Sequence, residues 1–152
     1  MTNLNSKKTA IVFPGQGSQV VGMGKDLYEN FAAAKEVFLK VDDILEVNLS
    51  KIMFEGPNEE LTKTENAQPA LMAVSMAIVK ALEAEVGKPL STLCTYMAGH
   101  SLGEYTALCA TGVFSLFDTA RLLRLRGRAM QEAVPIGVGA MAAILGLDAH
   151  DV

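Results

Sequence analysis

Short continuous apolar runs alternate with longer helix-spaced stretches along this chain. Two of the runs, TAIVF at 9–13 and LCTYMA at 93–98, have the length of buried strands. A third run, GAMAAILGL at 139–147, is a strand candidate whose small residues also suit a helix. Strands separated by helical stretches indicate βαβ units, so we predict an α/β fold with a parallel sheet.

Helical spacing of apolar residues fills most of the chain between these runs. Four glycines in the eleven residues of 14–24 predict a loop after the first strand. The stretch at 68–87 is apolar on nearly every side, which predicts a buried helix. The predicted helices are 25–45 with a break near Asn30, a short piece opened by Asn58, 68–87 with Pro69 in its first turn and Gly87 at its end, 102–112 ended by Gly112, and 115–134 opened by Ser115.

Composition narrows the classes of partner and compartment. A net charge of −4 gives no electrostatic reason to expect nucleic acid or an anionic membrane as a partner. No segment has an apolar run long enough to span a membrane. Cys94 and Cys109 lie in apolar surroundings without metal-ligand spacing, so we expect no metal site and a cytoplasmic protein.

Ser101 lies in GHSLG, a match to the nucleophile-elbow pattern G-x-S-x-G. The pattern requires a tight strand-to-helix turn, and Gly99 and Gly103 would let the strand and helix approach closely. The alternative is that Ser101 only caps the following helix. The predicted strand before it and the predicted helix after it favour the nucleophile.

A nucleophilic serine needs N–H donors for the oxyanion that forms on its substrate. The N–H of Leu102 is one expected donor, because it follows the serine at a helix N-terminus. The Gly-rich loop FPGQGSQ at 13–19 is the candidate for a second, through the N–H of Gln16. A phosphate-cradling loop is the alternative, although the glycine spacing does not match G-x-G-x-x-G and no P-loop lysine follows.

Arg126 has an unusual position on the predicted helix 115–134. With about 3.6 residues per turn, it lies at the edge of the apolar stripe. A guanidinium there must form a salt bridge, extend to water, or meet a ligand anion such as a carboxylate, and these alternatives stay open. The apolar stripe contains Leu116, Ala120, Leu123, Gly127, Met130 and Val134, and the opposite, solvated side contains Arg121, Arg124 and Arg128.

Neither histidine of the chain is a convincing general base for Ser101. His100 is adjacent in sequence at the tip of a tight turn, where its side chain should point away from the serine oxygen. His150 lies in a polar stretch close to Val152. The few predicted strands and the missing base both lead us to expect that this chain is part of a longer protein.

Five motifs occur in order along the chain and carry a family resemblance. They are FPGQGSQ at 13–19, QPALM at 68–72, GHSLGEYTAL at 99–108, RLLRLRGRAMQEAVP at 121–135 and GAMAAILGL at 139–147. Together they resemble the malonyl-CoA:acyl carrier protein transacylases, the acyltransferases of type II fatty acid synthesis. Five ordered motifs are far more specific than G-x-S-x-G alone.

The resemblance implies an α/β-hydrolase-like parallel sheet core with an inserted ferredoxin-like subdomain. Residues 1–135 would form the N-terminal part of the core, and 136–152 the start of the inserted subdomain. It implies an enzyme that moves a malonyl group from malonyl-CoA to the phosphopantetheine thiol of acyl carrier protein, through a seryl acyl-enzyme and without a metal or other cofactor. We expect a monomer at full length, with malonyl-CoA and acyl carrier protein as its partners.

The resemblance also implies roles for individual residues. These are Ser101 as the acyl carrier, Arg126 at the free carboxylate of malonate, the Gln16 and Leu102 N–H groups as the oxyanion hole, and Gln68 and His100 near the substrate pocket. The family's general-base histidine lies beyond Val152, so we expect this chain to be the first half of a transacylase. The alternatives are a serine esterase or thioesterase of α/β-hydrolase type, or a non-catalytic fragment.

Overall fold

Helices pack on one face of a two-stranded parallel sheet in the computed structural model, which describes residues 8–134, 137–139 and 144–151. The described part of the chain is mixed α/β and mostly helical. Its elements are β1 (Ala10–Phe13), α1 (Lys25–Asn30), α2 (Ala32–Leu45), α3 (Leu49–Glu55), α4 (Asn58–Thr62), α5 (Thr64–Val86), β2 (Tyr96–Gly99), α6 (Leu102–Ala110) and α7 (Leu116–Ala133).

The parallel pairing of β1 with β2 confirms the predicted sheet type, with Phe13 opposite Gly99. Phe13 lies in the core, whereas Val12 is 75% and Tyr96 60% exposed. The prediction of buried strands is therefore wrong for one side chain in two, because the described helices cover only one face of the sheet. Of the third predicted strand, at 139–147, residues 140–143 lie outside the described residues, and residues 144–147 are exposed and irregular.

Most predicted helix ends are confirmed by their local geometry. Phe31 is extended (φ −126°, ψ 111°) and separates α1 from α2, next to the predicted break. The Ser115 hydroxyl accepts a hydrogen bond from the Asp118 N–H at 3.0 Å and caps α7. Gly87 and Gly112 have positive φ values of 68° and 81°, which glycine adopts easily at a helix end. The sequence pattern did not predict α3.

The central helix, α5, packs against α2, α6 and α7 and buries most of its length. It begins at Thr64, before the predicted start, so Pro69 lies in its second turn and not in its first. Because Pro69 has no N–H, the carbonyl of Glu65 four residues earlier lacks its helical donor. Arg124 of α7 supplies one, since its Nη1 donates to the Glu65 carbonyl at 3.0 Å.

This contact corrects the predicted position of Arg124. Its side chain is only 13% exposed, and it also bonds the Asn66 side-chain oxygen and faces the Glu65 carboxylate at 3.9 Å. Burial lowers the pKa of Arg124, against the opposing effect of the Glu65 charge. The helical projection was wrong here because it treats α7 alone, without the free carbonyl on α5.

Helices α5 and α7 cross at Gly127. A Cβ on Gly127 would lie 2.6 Å from the Glu65 Cα, so only glycine permits this approach. Ala120 and Leu123 on the same face are fully buried, as predicted, whereas Val134 at the end of the predicted stripe is 46% exposed. The close crossing also brings the following turn of α5, which contains Gln68, against α7.

Candidate active site

The GHSLG segment forms a sharp turn between β2 and α6. Ser101 has φ 55° and ψ −113°, a left-handed conformation that is strained for a residue with a side chain. A Cβ on Gly99 would lie 1.9 Å from the Gly103 carbonyl carbon, and a Cβ on Gly103 would lie 2.4 Å from the Phe13 carbonyl oxygen. The strand and helix therefore approach so closely that both glycines are required.

The Ser101 side chain does not cap α6. It lies at the N-cap position, but its hydroxyl accepts no hydrogen bond from the first turn of that helix. It is exposed and accepts a hydrogen bond from Arg126 Nη2 at 2.9 Å instead. This geometry removes the main support for the capping alternative, and the hydroxyl proton is left to be donated elsewhere.

Arg126 contacts three side chains of the candidate site. Besides its bond to Ser101, its Nη1 donates to Gln68 Oε1 at 2.6 Å. Its guanidinium carbon lies 5.8 Å from the centre of the Tyr105 ring, within cation–π range. Gln68 is fully buried, so it is a fixed acceptor that orients the guanidinium towards Ser101.

The charge of Arg126 has no anionic partner in the described part of the chain. Arg124 and Arg128, two residues to either side, both face the Glu65 carboxylate, with Arg128 Nε at 3.0 Å. Among residues 8–134, 137–139 and 144–151, no carboxylate oxygen lies within 4.0 Å of Arg126, which excludes the salt-bridge alternative for those residues. A half-buried cation with only neutral contacts is suited to a ligand anion.

The Gly-rich loop lies beside the turn that carries Ser101. A Cβ on Gly15 would come within 2.4 Å of His100 Nδ1 and 3.2 Å of the His100 carbonyl, so the loop and the turn are in direct contact. The Gln16 side chain is within 3.4 Å of the Thr64 hydroxyl at the start of α5. The N–H groups of Gln16 and Leu102 donate no hydrogen bond to any other described residue, and both are available to a ligand.

A cavity of about 480 Å³ opens at the carboxyl ends of both strands, between Pro14 and His100. Ligands of open α/β sheets bind at such strand ends. A larger groove of about 940 Å³ lies between the end of α2 and α7, and it contains none of the predicted site residues. Of the predicted site residues, His100 lines the smaller cavity.

Neither histidine forms a hydrogen bond with the Ser101 hydroxyl in the described part of the chain. His100 is exposed and lies against Gly15. His150 is exposed, with Nε2 3.1 Å from Asp151 Oδ1. Over the described ranges, Arg126 is the side chain that bonds Ser101 Oγ, and a guanidinium cannot accept a proton. The described residues therefore supply no base for Ser101.

Comparison with known proteins identifies the family. The model of the acyl transferase domain family matches residues 10–150, which is nearly the whole chain. The chain belongs to the acyl transferase domain family. It is similar to the malonyl CoA-acyl carrier protein transacylase of Bacillus subtilis strain 168, with 53% identity over 143 residues. That alignment covers 94% of this chain and 44% of the relative, so this chain spans less than half of the relative's length.

Solved structures of the acyl transferase family have the same fold over the matched part. The acyl-carrier-protein-S-malonyltransferase of Bartonella henselae aligns with a TM-score of 0.88 and 59% identity, covering 95% of this chain and 46% of that one. A malonyl-transacylase in complex with its type II PKS acyl-carrier protein aligns with a TM-score of 0.78 and 46% identity, covering 85% of this chain and 40% of that one.

Two residues that contact the candidate site were missed by sequence reasoning. Tyr105 lies one turn after Ser101 on α6, with its ring within cation–π range of Arg126. Met130 was assigned to the apolar stripe of α7, but its sulfur also accepts a hydrogen bond from Gln68 Nε2 at 3.3 Å. The spacing of Met130 four residues after Arg126 was a usable signal, since such residues share one helix face.

Among the described residues, the one group of possible metal ligands is Asp148, His150 and Asp151, all of which are exposed. None of the described helices combines the length and the apolar character that crossing a membrane requires.

Proposed function

We propose that this chain carries the serine and the carboxylate-binding half of a malonyl-CoA:acyl carrier protein transacylase site. The observation that supports this most is the Arg126–Ser101 contact. A cation that has no anionic partner among the described residues is bonded to the hydroxyl that would carry the acyl group. An acyl group that ends in a carboxylate is the substrate that such an arrangement favours.

In this mechanism Ser101 Oγ attacks the thioester carbonyl of malonyl-CoA. A base outside the described residues takes the hydroxyl proton, and the carbonyl oxygen becomes an oxyanion. The N–H groups of Gln16 and Leu102 donate to it, each contributing about 3 kcal/mol if they act as donors in comparable sites do. The C–S bond then breaks, the base returns the proton to the sulfur so that coenzyme A leaves as the thiol, and the malonyl group stays on Ser101 as an ester.

Arg126 would select the acyl group through its free carboxylate. Two parallel N–H donors match the two oxygens of a carboxylate, and acetyl has no group to occupy them. Gln68 keeps the guanidinium in place from its buried position. His100 would border the cavity without taking part in proton transfer.

The proposed acceptor is the phosphopantetheine thiol of acyl carrier protein. The thiol attacks the malonyl ester on Ser101, and the serine leaves with a proton returned by the base. A relative with 46% identity over the aligned part is described as a malonyl-transacylase in complex with an acyl-carrier protein, which supports this choice.

We also propose the α/β-hydrolase-like core with an inserted ferredoxin-like subdomain, divided at residues 135 and 136. The small parallel sheet supports the first part. Residues 135–136 and 140–143 lie outside the described part, so the division stays a prediction. The cytoplasmic location and the monomeric state also stay predictions.

Acceptor choice tests this function against the esterase alternative. The complete gene product that contains this sequence is incubated with radiolabelled malonyl-CoA, with and without phosphopantetheinylated acyl carrier protein. We expect label on the carrier protein, and expect none when Ser101→Ala replaces the wild type. Release of free malonate at the same rate with and without the carrier protein would favour a thioesterase instead.

A further inference from the structure

The buried amide of Gln68 contacts two different groups, one through each of its polar atoms. Its Oε1 accepts from Arg126 Nη1 at 2.6 Å, and its Nε2 donates to Met130 Sδ at 3.3 Å. Gln68 has no exposed surface, so water does not supply an alternative partner for either atom. The orientation of the amide is therefore decided by Arg126 and Met130 together.

The reversed amide orientation is unfavourable at both ends. It would place the NH2 group of Gln68 against the guanidinium of Arg126, and both of these groups are donors. It would also place the amide oxygen against the thioether sulfur, and both of these are acceptors. With the observed orientation each group meets a complementary partner, but only because Met130 offers an acceptor to the NH2 group.

A thioether is well suited to this position because it accepts a hydrogen bond without carrying charge. Met130 lies four residues after Arg126 on α7, so the two side chains share one helix face. A carboxylate at position 130 would pair with the guanidinium of Arg126 and neutralise it. An aliphatic side chain would leave the buried NH2 group of Gln68 without an acceptor.

We propose that Met130 is a positioning residue, whose sulfur fixes the Gln68 amide so that its oxygen holds Arg126 against Ser101 with the arginine charge left free. The functional consequence of this inference is selection of a carboxylate-bearing acyl group, and that consequence rests on the proposed function. Its structural part, the orientation of the Gln68 amide, can be measured without any substrate.

The first measurement is hydrogen exchange of the Gln68 side-chain NH2 protons by NMR, in the complete gene product. Their signals are identified by their loss in Gln68→Glu. In Met130→Leu, a volume-conserving change, we expect these protons to exchange at least about tenfold faster, because a buried donor has lost its acceptor. Backbone amides of α7 should keep their rates. In Met130→Gln, which restores a neutral acceptor, exchange should return towards the wild-type rate.

The second measurement is the preference for malonyl-CoA over acetyl-CoA, taken as the ratio of their kcat/KM values for acylation of Ser101, because the coenzyme A ester reacts with the serine. We expect Met130→Leu to lower this preference about tenfold, through a lower kcat/KM for malonyl-CoA alone, with recovery in Met130→Gln. Met53→Leu is the matched control, because Met53 is a buried core methionine on α3. It should change neither measurement.

The two measurements separate this inference from the proposed function. Unchanged exchange of the Gln68 protons in Met130→Leu, or equal acceleration in Met130→Gln, overturns the role of Met130. Faster exchange in Met130→Leu with an unchanged malonyl preference also overturns it, because the amide would then not position Arg126. A wild-type protein without preference for malonyl-CoA would contradict the proposed function, while the exchange measurement would still decide the orientation of the amide.

Discussion

Arg126 Nη2 donates a hydrogen bond to Ser101 Oγ at 2.9 Å, and 25 residues of chain separate the two. The contact joins the start of α6 to the middle of α7. Because the serine oxygen is the acceptor, its own proton stays available for a base. Because the guanidinium has no carboxylate partner among the described residues, its charge stays available for a ligand.

Arg126→Ala should remove most of the preference for malonyl-CoA over acetyl-CoA. Losing a charged, half-buried partner of a carboxylate costs about 3 kcal/mol, which corresponds to roughly 100-fold in affinity. Arg126→Lys should recover only part of this, because an ammonium cannot form two parallel bonds. Arg121→Ala, an exposed change on the same helix, is the control for both variants. Equal loss of preference in the control would remove the special role of Arg126.

Gly127→Ala should destabilise the protein, although alanine is the better helix former. Helix propensity alone would favour alanine by about 1 kcal/mol. The added Cβ would lie 2.6 Å from the Glu65 backbone, so α5 and α7 must separate, and we expect a net loss of about 2 kcal/mol. Urea unfolding measures this change. A more stable variant would show that the helices do not cross as described.

Arg124 and Pro69 should be energetically coupled through the Glu65 carbonyl. In Pro69→Ala the new N–H can donate to that carbonyl, so Arg124→Leu should cost less in this background than in the wild type. We expect a coupling of about 1 kcal/mol in a double-mutant cycle of unfolding free energies. Strictly additive effects would mean that Arg124 does not replace the missing helical donor.

Glu83 should contribute stability at neutral pH that is lost in acid. Burial raises its pKa, but hydrogen bonds from the Leu90 N–H and from Lys80 outweigh this and bring the pKa below its ordinary value of 4.5. A lowered carboxyl pKa means that the stabilisation is present above pH 4.5 and disappears as the pH falls through the folded-state pKa.

Glu83→Gln measures this contribution. The variant should be less stable than the wild type by about 1 kcal/mol at pH 7, and the difference should vanish in acid. Glu36→Gln is the comparison, because Glu36 forms an exposed ion pair with Lys40 and its replacement should change the free energy of unfolding little. A difference for Glu83→Gln that persists unchanged at pH 3 would contradict the assignment, since about 95% of ordinary glutamates are protonated there.

The sequence was sufficient to predict the elbow around Ser101, because its requirements are local. Two glycines, a short apolar run and a following helix specify that turn, and the positive φ of Ser101 follows from the resulting geometry. The edge position of Arg126 was also visible, since helical periodicity places it without reference to other elements.

Contacts between distant helices could not be predicted in this way. The position of Arg124 depends on a carbonyl that Pro69 leaves free on another helix, and no periodicity on α7 contains that information. The role of Gln68 as the acceptor for Arg126 depends on the crossing at Gly127. The exposed strand faces depend on how many elements cover the sheet, which the pattern of a single strand does not report.

Peptide mapping by mass spectrometry tests the central claim most directly. The complete gene product is incubated with malonyl-CoA, quenched in acid and digested. We predict one malonyl group on the peptide that contains Ser101, absent in Ser101→Ala and retained in Ser115→Ala, which changes only the cap of α7. Malonyl transfer to the carrier protein with Ser101 unmodified, or with the group on another residue, would contradict the account.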